Sequence, residues 1–491
     1  MSSARVNRNI AANYLGKLWG IASVYAFVPI YIELLGIESY GVIAFQGVLL
    51  AILWIADSGL TPAFSREAAR SDDLPYLRNV LCAMERVYLS ICLAVAIGML
   101  LCSGWIATSW LKTPTHVASD ELQVSIALMS IGIACQLAMS LYFGGLMGRQ
   151  KQVLANGLQV AYGVARSAIV IVPLLVRPEL STYFAWQAGM GLFFLLVLRW
   201  AMWRELSSSE HVTFSWQSLA GVYKFAAGMF GMAIIAAMNM QIDKLVASSM
   251  FPLSQYAVYS LASLVAQVPT ILTLPVAMAV LPQLTALVET HQSDALRALY
   301  RRSALQIATI ASTSGALVIA YAYELMFLWT RDASIAAQAQ PVVRIVTAGG
   351  ICLALQLMPY HLSLANGHNA TNIRIGAAFL VITPLLTIWL AGRFGLPGAA
   401  WPWLLMNAVA LVLLGYVLLP RFLPGVLGDW ALRDTLIPVV TCAAAALACR
   451  LLTDRIAMAH GFGGMLAAGV VMGGVGVGLL RRGVHQRSLE R

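Results

Sequence analysis

Apolar stretches of spanning length follow one another along the whole chain, each broken by a short polar, glycine- or proline-containing interval. A bilayer core requires roughly 20 apolar residues per helix. With that window the pattern predicts about fourteen helices: 10–34, 40–64, 79–102, 122–147, 156–176, 183–203, 223–250, 254–287, 303–329, 341–364, 373–392, 397–419, 435–452 and 462–480. The stretch 254–287 must bend, because it holds Pro269, Pro275 and Pro282.

Polar residues inside these spans recur at helical spacing. Helix 1 carries Asn9, Asn13 and Lys17, and helix 2 carries Gln46 and Asp57. Gln159, Tyr162 and Arg166 share a face of helix 5, and Asn239, Gln241, Asp243 and Lys244 lie together on helix 7. Tyr256, Ser260, Ser263, Gln267 and Thr270 form a stripe on helix 8, alternating four and three residues apart. A charge facing lipid costs about 2.5–3.5 kcal/mol even on the lenient insertion scale, so Lys17, Asp57, Arg166, Asp243 and Lys244 are expected to face water or one another. Helices 13 and 14 lack such stripes and carry glycines suited to close packing instead.

Composition narrows the class. Of 491 residues 60% are hydrophobic and 11% charged, against about 25% charged in a soluble domain. That excludes a soluble enzyme, a disordered chain and a secreted disulfide scaffold, leaving an all-α polytopic membrane protein. The net charge of +10 is assigned to cytoplasmic loops rather than to nucleic-acid binding. With both termini inside, nineteen of the 31 Lys and Arg fall on cytoplasmic segments and five on the opposite side, a bias that sets orientation. No cleavable signal peptide is expected, since the first apolar segment after Arg5 and Arg8 is long enough to span. The seven cysteines all lie in apolar segments without a CxxC pair and read as small core residues. No loop is long enough to form a domain, and no Walker loop, metal-ligand cluster or nucleophilic triad is present.

An internal repeat organises the chain. Tyr40-Gly41-Val42 returns as Tyr256-Ala257-Val258, Ser71-Asp72-Asp73-Leu74 as Ser293-Asp294-Ala295-Leu296, Trp110 as Trp329 and Gly148 as Gly367. Six helices per copy keep the same orientation, so the copies are related by an axis along the membrane normal. The expected domains are a lobe over 1–205, a hydrophilic linker over 206–221, a second lobe over 222–420, and helices 13–14 with a basic tail over 421–491.

Among the charges, Arg166 lies near mid-depth with no acid on its own helix in reach, and is expected to be a cation facing a hydrated cleft. Lys17 is read as either snorkelling or functional, and Lys244 as an ion pair with Asp243 or a substrate contact. Asp57 is a partner for Lys17, a proton or cation site, or a helix cap; pairing is the favoured reading. Asp57 and Asp243 are the ion-coupling candidates. The substrate-binding candidates are Arg166, Lys17, Asn13, Gln159, Tyr162, Gln46, Asn239, Gln241, Lys244, Tyr256 and Gln267.

Several pieces of the chain resemble the Wzx-type oligosaccharide flippases of the MOP exporter superfamily: Asn9-Ile10-Ala11-Ala12-Asn13-Tyr14-Leu15-Gly16, Leu35-Gly36-Ile37-Glu38-Ser39-Tyr40-Gly41, Asp57-Ser58-Gly59-Leu60, Gln241-Ile242-Asp243-Lys244 and Gly398-Ala399-Ala400. The resemblance covers roughly residues 5–420. It implies two six-helix lobes in a MATE-like V, plus two C-terminal helices. It further implies export of an undecaprenyl-pyrophosphate-linked oligosaccharide across the bacterial inner membrane, with a polysaccharide polymerase and a chain-length regulator as partners. No cofactor is implied, and transport would couple to a proton or sodium gradient or to the membrane potential. A positive mid-depth side chain suits a pyrophosphate independently of the resemblance, because a guanidinium donates two parallel hydrogen bonds. The competing classes are a multidrug antiporter of the same superfamily, which would favour an acid-lined cavity; a membrane-embedded polymerase or ligase, which would need a large outer loop; and a non-transporting scaffold.

Overall fold

A computed structural model describes residues 3–57, 59–112, 117–207, 220–455 and 462–489. Side chains are described for 19–20, 22–55, 57, 59–112, 117–207, 234–454 and 463–481. The described chain is almost wholly helical, and eleven of its helical stretches are long and apolar enough to cross a bilayer. Two continuous helices contain more than one expected span. α1 (Ser3–Leu53) runs through Gly36 at φ 81°, and α15 (Ala370–Phe422) through Gly395 at φ 64°. Both glycines take up positive-φ backbone at a kink that separates two helices.

The chain divides into two compact units, Met1–Gln241 with Ser248–Ala257, and Ile242–Ala247 with Val258–Arg491. The first holds α1, α2 (Leu60–Arg70), α3 (Leu74–Trp105), α4 (Ser119–Gly148), α5 (Gln152–Val164), α6 (Ile171–Val176) and α7 (Leu180–Glu205). α8 (Ala220–Met250) supplies segments to both units, and α9 (Leu253–Val265) begins in the first. The second unit continues with α10 (Val268–Glu289), α11 (Ser293–Ala320), α12 (Ala322–Thr330), α13 (Ala333–Leu355), α14 (Leu357–Ala365), α15, α16 (Leu427–Asp429), α17 (Ile437–Arg455) and α18 (Phe462–Leu489). The bend expected over 254–287 is a break between α9 and α10. Pro269 opens α10, where a missing N–H leaves no helical carbonyl unpaired.

α4 is the centre of the first unit, packing on α2, α3 and α7. Phe64, Leu77, Leu81, Met84, Leu198 and Met202 pack against its Leu146 and neighbouring residues. Its glycines decide how closely α2 approaches. A Cβ on Gly148 would sit 2.3 Å from the Ser65 carbonyl oxygen, and one on Gly144 would sit 2.4 Å from Thr61 Cγ2. The contact is held at its end by Arg149, whose Nη1 donates to Ala68 O at 3.4 Å and Ser71 O at 3.3 Å and pairs with Asp72 at 3.4 Å. A cation is thereby set against the C-terminus of α2, where unpaired carbonyls concentrate negative potential.

In the second unit α11 has the central place. Its Tyr300 and Ile307 pack with Ala277, Leu284, Met358 and Leu419. α17 and α18 lie along it as well, with Cys442, Ala446 and Met472 meeting Ala316. Ahead of α17 stands a π-helical turn, Trp430–Leu436, whose Asp434 accepts from Arg301 Nε at 2.9 Å. Arg301 also reaches Asp429 at 3.0 Å. The last two spans are therefore built into the core of this unit by charge as well as by small residues. Of the cysteines, Cys92, Cys135, Cys442 and Cys449 are buried, while Cys102 is exposed.

The Gly148–Ser65 approach yields a direct expectation. Gly148→Ala forces backbone apart at a van der Waals contact and should cost about 1–3 kcal/mol. Thermal unfolding of the purified protein in detergent checks this, with Gly157→Ala, whose Cβ would meet nothing within 4 Å, as the unaffected control.

Candidate functional site

Arg166 sits where the fifth span changes its helical winding. α5 ends at Val164, a π-helical turn runs over Ala165–Ile169, and α6 follows. Pro173 brings no N–H to the ladder, so the helix re-registers ahead of it. Three successive carbonyls of the turn accept hydrogen bonds from side chains of other helices. Trp186 Nε1 donates to Ala165 O at 2.9 Å, Gln187 Nε2 to Arg166 O at 3.0 Å, and Tyr31 OH to Ser167 O at 2.6 Å. A wound-out turn inside a membrane would otherwise leave polar backbone unsatisfied, and these three donors from α7 and α1 remove that cost.

The turn fixes where the guanidinium points. Arg166 Nη1 donates to Gln136 Oε1 on α4 at 2.7 Å. The hydroxyls of Tyr162, Tyr183 and Tyr31 are its electrostatic neighbours. Tyr31 and Tyr183 meet edge to face with ring centroids 5.5 Å apart, and Tyr162 packs on Phe194 at 5.5 Å. Arg166 itself remains partly accessible. No carboxylate pairs with it among the described residues. Among the described residues, the groups around this cation are neutral oxygens.

The remaining candidates divide. Tyr162 joins Arg166, whereas Gln159 on the same helix is exposed. The side chains of Lys17 and Asn13 lie outside the described residues. Gln46 is buried with Nε2 unpartnered. Asn239 bonds back to Ile235 O of its own helix at 2.8 Å, and Gln241 is half-buried. Tyr256 is fully buried, while Gln267 is exposed just before α10. Asp243 is buried in the second unit, 3.6 Å from Lys244 Nζ, and accepts from Tyr259 OH at 2.7 Å. Asp57 accepts from Thr61 Oγ1 at 2.6 Å and from Tyr88 OH.

Gln136, Gln187, Tyr31 and Tyr183 were not singled out in the sequence. Gln136 and Gln187 lie in apolar helices without a polar stripe of their own, so periodicity gave them no weight. The available signal was their type: an amide deep in an apolar span must find a partner. Among the described residues no cluster of His, Cys, Asp and Glu is arranged to hold a metal ion.

The second unit carries an apolar groove of about 1010 Å³ between α11, α13, α15 and α17. Ala316, Ala348 and Ala443 line its walls, with Trp430 and Arg450 at opposite ends of the α17 side. Along the helix these two are about 30 Å apart at 1.5 Å per residue. That is close to the thickness of a bilayer core.

The family model described as "Polysaccharide biosynthesis protein" matches residues 6–288. No curated protein sequence matches the chain. The solved structure of the lipid II flippase MurJ in an inward closed conformation has the same fold, with a TM-score of 0.73 at 10% identity over 98% of this chain and 99% of that one. An inward-facing multidrug-resistance MATE family transporter of the MOP superfamily gives 0.67 at 16% identity, over 85% and 96%. A MOP superfamily transporter from Pyrococcus furiosus gives 0.55 at 15% identity, over 87% and 95%.

The bonds that satisfy the π-helical turn are open to test. Gln187→Leu removes the partner of Arg166 O and should lower stability by about 0.6–2 kcal/mol, the range for interhelical hydrogen bonds in membranes. Unfolding of the purified variant gives the value, and faster amide exchange over 165–170 than in the parent protein is the local signature.

Proposed function

Because this chain belongs to the polysaccharide biosynthesis protein family, we propose that it is a flippase for an undecaprenyl-pyrophosphate-linked oligosaccharide. It carries this lipid from the inner to the outer leaflet of the bacterial cytoplasmic membrane, with both termini cytoplasmic. Alternating access by the two expected lobes, 1–205 and 222–420, accomplishes the transfer, and a polymerase with its chain-length regulator receives the product.

The observation that carries the reading is Arg166, a cation within a span that has no described carboxylate partner and is ringed by neutral hydrogen-bonding groups. Such a charge is costly in a membrane unless an anion or water meets it. A pyrophosphate diester brings two negative charges and planar oxygen pairs that match the guanidinium fork. Gln136 fixes the guanidinium from one side, while Tyr162, Tyr183 and Tyr31 place aromatic rings and hydroxyls around it. A cationic-drug exporter would be poorly served by an unneutralised Arg at this position.

The direction of transport also follows from charge. Moving two negative charges outward down an inside-negative potential releases about 4.6 kcal/mol per 100 mV. In vesicles, clamping the potential at zero should slow the flipping of lipid-linked oligosaccharide; an unchanged rate removes the electrical drive. Arg166→Ala should cut surface polysaccharide at least about tenfold at equal protein level, the loss of a charge-assisted pair. Arg166→Lys should restore part of it. A wild-type phenotype in Arg166→Ala overturns the assignment of the head-group site.

A further inference from the structure

Two helices of the first unit carry the same gradient of side chains along one face. On α3, Arg78, Glu85 and Arg86 come first, and Leu89, Leu93 and Ile97 follow at three- and four-residue spacing. On α7 the order is reversed: Leu192 and Leu196 precede Arg199, Trp200, Trp203 and Arg204. These five apolar side chains are each at least half exposed, a continuous patch of the kind that meets lipid.

The two faces join at their charged ends, antiparallel. Arg199 Nε and Nη2 donate to Glu85 at 3.0 and 3.3 Å, and Trp203 Nε1 donates to the same carboxylate at 2.7 Å. Arg78 and Arg199 each lie 5.7 Å from the centre of the Trp203 ring, and Arg204 lies 5.1 Å from that of Trp200. Tyr142 of α4, on which both helices pack, donates to Glu85 at 2.8 Å. The Glu85 side chain is 18% exposed and that of Arg199 52%, so the cluster turns its positive side outward. Four arginines, Arg78, Arg86, Arg199 and Arg204, share these faces with one carboxylate. From Arg86 to Ile97 the helix rises about 16 Å at 1.5 Å per residue. That is about half the thickness of a bilayer core. The joined faces therefore match one phospholipid in polarity and in length.

We propose that these faces of α3 and α7 bind an anionic phospholipid of the inner leaflet, its phosphate on Arg86, Arg199 and Arg204 and its acyl chains along Leu89, Leu93 and Leu196. The leaflet rests on the orientation proposed above, with the start of α3 and the end of α7 at the cytoplasmic surface; the binding itself does not, nor does it rest on the reading of Arg166. A guanidinium meets a phosphate with two parallel hydrogen bonds, and basic sites between spanning helices hold anionic headgroups. A zwitterionic head brings its own cation to the arginines and forfeits most of that attraction. Trp200 and Trp203 supply the amphipathic rings that settle at headgroup level. A lipid reaching from α3 to α7 braces both against α4, the helix whose Gln136 holds Arg166.

The test is native mass spectrometry of the purified full-length protein titrated with dioleoylphosphatidylglycerol. Dioleoylphosphatidylcholine, with the same chains, should bind at least about tenfold more weakly. Arg86 and Arg204 are exposed, so their replacement spares the core. Arg86→Gln and Arg204→Gln should each weaken phosphatidylglycerol binding about fivefold, and the double variant about thirtyfold, the size of an arginine's attraction to an anionic lipid. Arg393→Gln, which removes the cation 4.7 Å from another tryptophan ring, that of Trp389, should bind as the parent does. Equal binding of the two lipids overturns the proposal. So does a loss in Arg393→Gln as large as in the double variant, since any surface cation would then serve. Glycerol 3-phosphate binding as tightly as the lipid would make this a site for free phosphate and overturn it too. For the leaflet, Ser207→Cys, just beyond α7, should add no labelling by an impermeant maleimide in right-side-out vesicles. Added labelling there would reverse the orientation and refute the inner leaflet, while the affinities above would still stand or fall by themselves.

Discussion

A charge within a bilayer has to be neutralised, solvated or reserved for something that will arrive. Several of the described charges in the spans follow the first course. Arg301 holds Asp429 and Asp434, Arg450 holds Glu324, and Arg199 holds Glu85. These pairs tie helix to helix and give the two units internal rigidity that apolar contacts alone, with lipid as the competing environment, do not supply. Arg166 and Asp57, which pair with no opposite charge among the described residues, break the pattern within one unit. Their neutral partners position them without cancelling them, and the functional reading depends on that exception.

Holding such an exception in place has a structural cost, which the surrounding helices meet. The π-helical turn that aims Arg166 releases carbonyls, and Trp186, Gln187 and Tyr31 satisfy three of them. The glycines of α4 that face α2 let Thr61 come close enough to join Ser140, so α4 can serve both Arg166 and Asp57. The same small-residue contacts that build the core therefore set how closely Thr61 meets Ser140.

Much of the candidate site could be read in advance. A lone arginine at mid-depth is conspicuous because its cost in lipid is several times thermal energy, and Tyr162 one turn earlier follows from helical spacing. Gln159 shows the limit of that reasoning. It shares the stripe with Arg166, yet the altered winding beyond Val164 leaves it exposed while Arg166 turns inward. Asp243 and Lys244 illustrate another limit. Neighbours in sequence point in different directions on an ideal helix, so their pairing depended on side-chain reach and on Tyr259 from α9.

The sequence by itself determined that the chain is helical and membrane-spanning, and which residues are too costly to leave in lipid. Those properties depend on local composition and on the transfer of single side chains between water and hydrocarbon. It could not determine which costly residues pair. That is decided by helix approach, set at Gly144 and Gly148, and by the winding of one turn ahead of Pro173. Both are settled only when distant segments pack, because a hydrogen bond between Gln136 and Arg166 exists only once two helices thirty residues apart lie side by side.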